Sequence, residues 1–262
     1  MTAARRRPPL ALLVPAVAGA VFVVLPLVAL LQRAPWGDLA DELTSPGVRD
    51  ALALSLVTSL AATAVSLVLG VPLAWLLARV AFPGRALLRG VVTLPMVLPP
   101  VVGGAALLFA LGRRGLVGGW LDDALGITLP FTTAGVVVAN TFVAMPFLVV
   151  SVEGALRQAD HRYEDAAATL GAGRWAVLTR VTLPLVRPSL VAGALLCWAR
   201  ALGEFGATIT FAGNLPGRTQ TMPLAVFLAL ERDRSSAVAL SLVLVAVSLA
   251  VLVALRDRWL RV

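Results

Sequence analysis

The chain of 262 residues is 59% hydrophobic and only 14% charged, with a formal net charge of +8, and this composition excludes an ordinary soluble globular domain. All 22 of its basic residues are arginine, so no lysine can complete a phosphate-binding loop and the chain cannot be a P-loop ATPase. A single cysteine, Cys197, and a single histidine, His161, exclude an internal disulfide and argue against a Cys/His metal site. The composition therefore predicts an all-α polytopic membrane protein.

The apolar runs predict six membrane-spanning helices in a single transmembrane domain that covers residues 1–262. Each run is long enough because about 20 apolar residues cross a bilayer. The first run exceeds the roughly 7–15 apolar residues of a signal peptide, so we expect it to remain in place as the first span. The predicted spans are residues 10–31, 51–78, 88–111, 133–156, 189–212 and 236–255.

The arginines are distributed unevenly between the two sides of the predicted spans. Fourteen lie on one side, thirteen of them in the terminal segments and gaps and Arg89 at the start of the third span; seven lie in the gaps on the other side, and Arg200 lies inside a span. Because membrane proteins keep an excess of positive charge on the cytoplasmic side, both termini are predicted to be cytoplasmic. This topology accounts for the basic charge, so nucleic acid is not an expected partner.

Proline and glycine interrupt several of the predicted spans. The third span contains LPMVLPPVVGG, with Pro95, Pro99 and Pro100. Proline lacks an N–H and disfavours helix at the residue before it, and in lipid the freed backbone groups need protein or a water-filled cavity around them. We therefore expect Pro99 and Pro100 to mark a break that lines a cavity, whereas Pro72 and Pro146 are equally compatible with ordinary kinks.

The longest gap on the predicted cytoplasmic side, about residues 157–188, indicates two short helices. Asp160 can cap the first, the alanines at 166–168 favour helix, and Gly171 is a typical turn residue. The second helix is predicted to start at about Arg174 and to end at Pro184. Two interpretations stay open: the small-residue helix lies in a groove of another protein, or the loop rests on the membrane surface.

The fifth predicted span carries two charges within the stretch WARALGEFGATITFAGN. A charge at the bilayer centre costs at least about 2.5 kcal/mol on insertion scales, so Arg200 and Glu204 require a role. They lie four residues apart, one helical turn, and could pair. Three interpretations stay open: a structural ion pair, a pair that lines or gates a transport path, and an arginine that binds an anion.

The cytoplasmic gap resembles the EAA loop of the permease subunits of ABC importers. That pattern reads E-A-A, three residues, G, nine residues, I, one residue, L-P, and its spacing is met in full here. Two positions depart from it, with an aspartate for the glutamate and a valine for the isoleucine. Glu164, one residue before the aspartate, either compensates for it or makes the contact itself. The matching positions are Asp165, Ala166, Ala167, Gly171, Val181, Leu183 and Pro184.

This resemblance implies that residues 157–185 form a coupling loop that docks into a separate ATP-binding ABC subunit. That partner would use ATP and Mg²⁺, so no cofactor is expected on this chain and the chain is not expected to be an enzyme. The absence of a phosphate-binding lysine agrees with this division of roles.

Three stretches extend the resemblance over most of the chain: LGVPLAWLLAR, LPMVLPPVVGG and LGEFGATITFAGNLPGRTQTMPLAVF. They resemble the molybdate/tungstate branch of the sulfate/molybdate permease family. The resemblance implies a type I ABC importer permease fold in a bacterial inner (plasma) membrane and transport of molybdate or tungstate. The implied partners are an extracytoplasmic molybdate-binding protein and a second copy of the permease in a homodimer. A sulfate/thiosulfate permease is the alternative, because such permeases share the GEFG core.

Two functions from other classes are less well supported by the residues. A membrane enzyme would need a serine–histidine pair or a cluster of metal ligands within the membrane, and His161 lies in the cytoplasmic gap. A secondary anion transporter or channel would be expected to show inverted halves or several ionisable groups in the membrane. Only Arg200, Glu204 and Glu153, which is near a helix end, qualify.

Overall fold

The computed structural model describes residues 10–259, and this part of the chain is helical and contains no strand. A 3₁₀ turn, Leu94–Met96, and a π-helical turn, Leu178–Thr182, lie among the α-helices. In chain order the α-helices are α1 (Leu10–Gln32), α2 (Leu39–Thr44), α3 (Pro46–Arg79), α4 (Arg85–Thr93), α5 (Pro100–Leu111), α6 (Gly118–Leu125), α7 (Thr133–Gln158), α8 (Arg162–Thr169), α9 (Arg174–Val177), α10 (Leu183–Leu185), α11 (Arg187–Leu202), α12 (Gly206–Phe211), α13 (Met222–Arg232) and α14 (Arg234–Trp259).

Three helices, α1, α3 and α7, are long and apolar enough to cross a membrane. Two further candidates are bent pairs: α4 with its 3₁₀ turn meets α5 at 116°, and the segment Arg174–Leu185 meets α11 at 73°. Within α14, the stretch Arg234–Ala250 is a shorter apolar helix. The described residues thus provide three to five candidate spans. Six crossings and cytoplasmic termini stay predictions, and residues 1–9 and 260–262 lie outside the described part of the chain.

The third and fifth predicted spans are interrupted. In the third, α5 begins at Pro100, whose fixed φ suits the first position of a helix, and Pro99 before it is extended, with ψ of 130°. In the fifth, α11 ends at Leu202 and α12 begins only at Gly206. The expectation that Glu204 lies one turn along the same helix as Arg200 is therefore wrong, because the helix ends before Gly203, a residue that disfavours helix.

α7 lies at the centre of the bundle, where it packs against α3 and α11, which also contact each other. Leu77 of α3, Leu148 of α7 and Cys197 of α11 are fully buried in one apolar cluster among these helices. Gly193 allows α11 to approach α7, since a Cβ at this position would lie 2.8 Å from the Cβ of Ser151. Small residues of this kind allow membrane helices to pack closely. Both α3 and α7 run unbroken through their internal prolines.

Two serine side chains of α3 accept hydrogen bonds from two other helices. The backbone N–H of Met222, at the start of α13, donates to Ser55 Oγ at 2.7 Å. The indole N–H of Trp198, on α11, donates to Ser59 Oγ at 2.9 Å. Both serines are buried, so these bonds satisfy polar groups that would otherwise face an apolar interior. No sequence pattern singles out Ser55 and Ser59, because they lie within a long apolar run.

An ion pair holds α4 against α7. The Nη2 and Nε atoms of Arg89 lie 2.5 Å and 2.8 Å from Glu153 Oε1, and the Glu153 side chain is almost completely buried. Arg157 Nη1 lies 3.8 Å from the same oxygen. A buried carboxylate needs such partners, since an isolated charge is costly away from water. Glu153 is therefore an inter-helix contact of the bundle.

Asp233 separates α13 from α14. Its carboxylate accepts hydrogen bonds from the hydroxyl of Ser236 and from the backbone N–H groups of Ser235 and Ser236. These bonds, led by the Ser236 hydroxyl, hold the pKa of Asp233 below its ordinary value. The last helix therefore starts at a capped position just before the predicted sixth span.

Candidate functional site

The two helix breaks lie against each other. A Cβ on Gly206, the first residue of α12, would lie 2.8 Å from the Cβ of Pro100, the first residue of α5. Pro99 and Pro100 are exposed, and Val97 is 83% exposed. The break therefore lies on the surface of this chain, so residues of a single chain do not enclose it. Pro95 lies in the 3₁₀ turn just before it and is partly buried.

α5 and α12 continue in close contact beyond the break. A Cβ on Gly104 would lie 2.7 Å from the Cβ of Thr210 and 2.8 Å from the backbone oxygen of Ala207. Such distances are shorter than van der Waals contact, so only glycine fits at this position. The two short helices therefore form one packed unit whose spacing Gly104 sets.

Arg200 and Glu204 form an ion pair at the end of α11. Arg200 Nη2 lies 2.5 Å from Glu204 Oε2, and the Glu204 side chain is only 1% exposed, against 28% for Arg200. The other carboxylate oxygen, Oε1, accepts the backbone N–H of Ala207 at 2.7 Å. Glu204 thus pairs with α11 and caps α12 with the same carboxylate, a role that requires the break between the two helices.

A second polar contact ties α12 to the bundle. The hydroxyl of Thr208 donates to Asn140 Oδ1 of α7 at 3.3 Å, and both side chains are buried. The break region is therefore held by a carboxylate on one side and by an amide on the other. With its side chain committed to Glu204, Arg200 is poorly placed to capture a free anion.

The predicted coupling loop is a second candidate site. Asp160 Oδ1 accepts the N–H of Arg162, the first residue of α8. At the other end, Gly171 adopts φ of +85°, the N–H of Ala172 donates to the Ala167 oxygen and the N–H of Gly171 donates to the Ala168 oxygen. These two bonds form a Schellman turn, which requires a left-handed residue and favours glycine.

Three large apolar side chains on and beside this turn are exposed. Tyr163, Leu170 and Trp175 are 60%, 89% and 75% exposed. The alanines at 166 and 168 are also exposed, whereas Ala167 is partly buried. Large apolar side chains exposed in this way, on neighbouring segments, indicate a contact surface. We call Tyr163, Leu170 and Trp175 the α8 apolar surface.

The two adjacent acids of α8 differ in their contacts. Glu164 Oε1 accepts hydrogen bonds from Arg79 Nη2 and from the hydroxyl of Thr182, each at 2.9 Å. Asp165 is exposed, and its carboxylate forms no ion pair with any side chain that the structure describes. The sequence alone leaves open which acid makes an external contact, since the answer depends on a residue 85 positions earlier.

The helical segment that begins at Arg174 ends at Leu185, one residue after the stop predicted at Pro184. Val181 lies in the π-helical turn, Leu183 and Pro184 lie in α10, and the chain bends at Val186. Proline is tolerated in the first turn of a helical segment, and the π-helical turn allows a new segment to begin at Leu183.

The chain is similar to one protein family and to several transport system permease proteins. Residues 66–262 match the family described as "Binding-protein-dependent transport system inner membrane component". The molybdenum transport system permease protein ModB of Mycobacterium tuberculosis (strain ATCC 25618 / H37Rv) is 52% identical over 216 residues, 82% of this chain and 81% of that protein. ModB of Escherichia coli (strain K12) is 45% identical over 210 residues, 80% and 92% of the two chains. The sulfate transport system permease protein CysT of the same strain is 38% identical over 214 residues, 80% and 77%.

A solved structure has the same fold. The crystal structure of a bacterial ABC transporter involved in the import of the acidic polysaccharide alginate superposes with a TM-score of 0.75 at 21% identity, covering 96% of this chain and 94% of that one. The predicted all-α fold of an ABC importer permease is thereby confirmed. The chain belongs to the family of inner-membrane components of binding-protein-dependent transport systems and is a multi-pass permease subunit of an ABC importer.

Proposed function

We propose that this chain is the permease subunit through which molybdate, or the similar tungstate, enters the cytoplasm. The observation that carries the choice of substrate is the difference in identity, 52% and 45% to two ModB proteins against 38% to CysT. Sulfate or thiosulfate is the second candidate, because CysT matches over a similar share of the chain. The third candidate, a secondary anion transporter or channel, is disfavoured because the chain belongs to a family of binding-protein-dependent transport systems.

Coupling to ATP hydrolysis is assigned to residues 157–185, as the EAA loop. The α8 apolar surface and the rigid turn at Gly171 support docking of this segment into a separate ATPase subunit that uses ATP and Mg²⁺. The pattern positions Asp165, Ala166, Ala167, Gly171 and the end of the loop all fall on this segment. A contact of this kind would cover side chains that are exposed in the isolated chain.

A second copy of the chain and an extracytoplasmic molybdate-binding protein complete the proposed importer. The exposed break at Pro99 and Pro100, with Val97 beside it, supports a path between two copies, since irregular backbone at membrane depth requires protein or a water-filled cavity around it. Six spans and two cytoplasmic termini belong to the same proposal. The binding protein would deliver the anion, so this chain needs no tight anion site.

Transport would follow from a shift between two conformations. ATP binding draws the ATPase subunits together, and the coupling loops move with them. The path between the permease copies then opens outward, and ATP hydrolysis returns it to the inward-open state. Each ligand shifts this equilibrium only by its difference in affinity for the two states. Pro95, Pro99, Pro100 and the Arg200–Glu204 pair are the residues proposed to line or gate that path.

The substrate is tested by reconstituting the permease with its ATPase subunit and binding protein in proteoliposomes. We expect ATP-dependent uptake of labelled molybdate that excess tungstate suppresses and excess sulfate does not. Vesicles with a non-hydrolysable ATP analogue serve as the control for leakage. Suppression by sulfate with no effect of tungstate would reassign the chain to sulfate.

The coupling assignment is tested at Gly171. Gly171→Val is expected to lower co-purification of the ATPase subunit about five- to thirtyfold, because a left-handed backbone costs a residue with a side chain about 1–2 kcal/mol. Gly173→Val is the matched control, since a Cβ at either glycine meets no atom within 4 Å but Gly173 has φ of −67°. Equal co-purification by the two variants would contradict docking through this turn.

A further inference from the structure

We infer, on the basis of the function proposed above, that Glu164 is a positioning residue that links α8 to two membrane helices. Asp165, the next residue, is then the acid that faces the ATPase subunit. The observation is the set of contacts around a single carboxylate oxygen. Glu164 Oε1 receives Arg79 Nη2 and the Thr182 hydroxyl, each at 2.9 Å. Arg79 is the last residue of α3, and Thr182 lies in the π-helical turn that leads into α11.

We call the contact of Glu164 with Arg79 and Thr182 the junction. Because it is largely buried, it is energetically costly to break. The side chains of Arg79 and Glu164 are 7% and 20% exposed, and Thr182 is buried. The ring of His161 contacts Arg79 and lies 3.8 Å from the second oxygen of Glu164. Among the acids whose side chains the structure describes, Glu164 is the one that pairs with Arg79. Separating them would leave a guanidinium buried without its counter-ion, which is strongly unfavourable.

The junction defines a mechanical route from α8 into the bundle. The turns at 159–161 and 170–173 also join α8 to its neighbours, and α8 packs against α9 and the π-helical turn. Through Arg79, a displacement of α8 acts on the end of the 34-residue α3. Through Thr182, it acts on the segment before α11, and α11 carries Arg200 near its other end. The proposed gate pair is thus connected to the coupling loop by helices that pack on one another.

Asp165 has no such contact with the side chains that the structure describes. It is exposed, and successive residues of a helix point about 100° apart, so it cannot share the internal contacts of Glu164. A partner cation can therefore reach Asp165 without breaking the junction. The two adjacent acids thus serve separate functions: Glu164 transmits movement within the permease, and Asp165 contributes to attachment of the ATPase subunit.

Neutralising each acid in turn distinguishes the two roles. Glu164→Gln and Asp165→Asn are introduced into the permease and reconstituted with the ATPase subunit and the binding protein. Co-purification of the ATPase subunit, ATP hydrolysis and molybdate uptake are measured. For Glu164→Gln we expect co-purification within twofold of the unaltered protein and uptake per ATP hydrolysed reduced at least about tenfold, the effect of weakening a charge-assisted contact. For Asp165→Asn we expect co-purification, hydrolysis and uptake to fall together, with an unchanged ratio.

A charge swap tests whether the junction itself is responsible. Arg79→Glu combined with Glu164→Arg is expected to restore uptake per ATP to within about threefold, because the pair is re-formed with reversed polarity. An unchanged ratio in Glu164→Gln, or loss of co-purification by Glu164→Gln but not by Asp165→Asn, overturns the assignment. If Glu164→Gln does not assemble, the swap decides: an assembled swap with a low ratio, or a swap that also fails to assemble, overturns it.

A failure of the proposed function can be distinguished from a failure of this inference. If the unaltered permease takes up sulfate in place of molybdate, the substrate is reassigned and the same ratios are measured with sulfate. If the unaltered permease neither binds an ATPase subunit nor takes up either anion, both the function and the role of Glu164 are overturned.

Discussion

Replacing Glu204 by alanine is expected to destabilise the permease by about 3 kcal/mol or more, since removing one partner of a buried ion pair typically costs about 3–5 kcal/mol. Two contacts are lost at once, the 2.5 Å pair with Arg200 and the 2.7 Å cap on Ala207. The Arg200 side chain is 28% exposed, which places the cost toward the lower end of this range. The thermal unfolding midpoint of the detergent-solubilised protein measures the effect.

Glu231→Ala provides the matched control, because Glu231 is an exposed acid near the end of α13. We expect it to change the unfolding midpoint little, since exposed charges usually contribute less than about 1 kcal/mol. A Glu204→Ala protein as stable as Glu231→Ala would show that the pair and the cap contribute nothing to the folded state.

A second variant separates a structural pair from a gate. In Arg200→Leu combined with Glu204→Gln, no charge remains, and the glutamine oxygen can still accept the Ala207 N–H. Its stability is expected to lie above that of Glu204→Ala. If the assembled double variant transports normally, the pair is structural; if it assembles and does not transport, the charges act in the path. A simple charge swap is less informative, because an arginine at 204 cannot cap α12.

Gly104→Ala is the second change with a large expected effect. The added Cβ would lie 2.8 Å from the Ala207 backbone oxygen and 2.7 Å from Thr210 Cβ, and a backbone oxygen cannot rotate away as a side chain can. Overpacking of this kind costs about 1–3 kcal/mol. We expect a lower unfolding midpoint and reduced molybdate uptake, because α5 and α12 would have to separate at the break.

The control for this change is Gly90→Ala in α4. A Cβ on Gly90 meets no atom within 4 Å, so alanine there should stabilise the helix by about 0.5–1 kcal/mol. The same chemical change is therefore expected to have opposite effects at the two positions. Equal unfolding midpoints would argue against the close contact between α5 and α12.

The sequence was sufficient for features that depend on local chemistry. Composition and long apolar runs predicted an all-α membrane protein, because burial in lipid requires continuous apolar helices. Pro99 and Pro100 predicted a break, and α5 starts there. Gly171 predicted a turn, and it adopts a left-handed backbone. Each of these depends on residues close together in the chain.

Helix continuity around single residues was less predictable. The fifth predicted span, residues 189–212, was expected to be one helix, yet the helix ends at Leu202 before Gly203, and Glu204 accepts the Ala207 N–H at the start of the next helix. The stop predicted at Pro184 lies one residue before the end of that helical segment, and a π-helical turn precedes it. A local helix preference is worth only about 1–3 kcal/mol, so the packing of the bundle decides where such a helix ends.

The sequence by itself determined the class of protein, the family resemblance, the break and the loop, since these follow from hydropathy, backbone preference and motif spacing. For charges far apart in the chain, only the tertiary structure decided which ones form pairs. Arg79 meets Glu164 across 85 positions and Arg89 meets Glu153 across 64, and no local pattern specifies such pairs. It therefore also decided that Glu164 is held inside the permease and Asp165 is left exposed, because only the folded helices bring Arg79 and Thr182 to the same carboxylate oxygen.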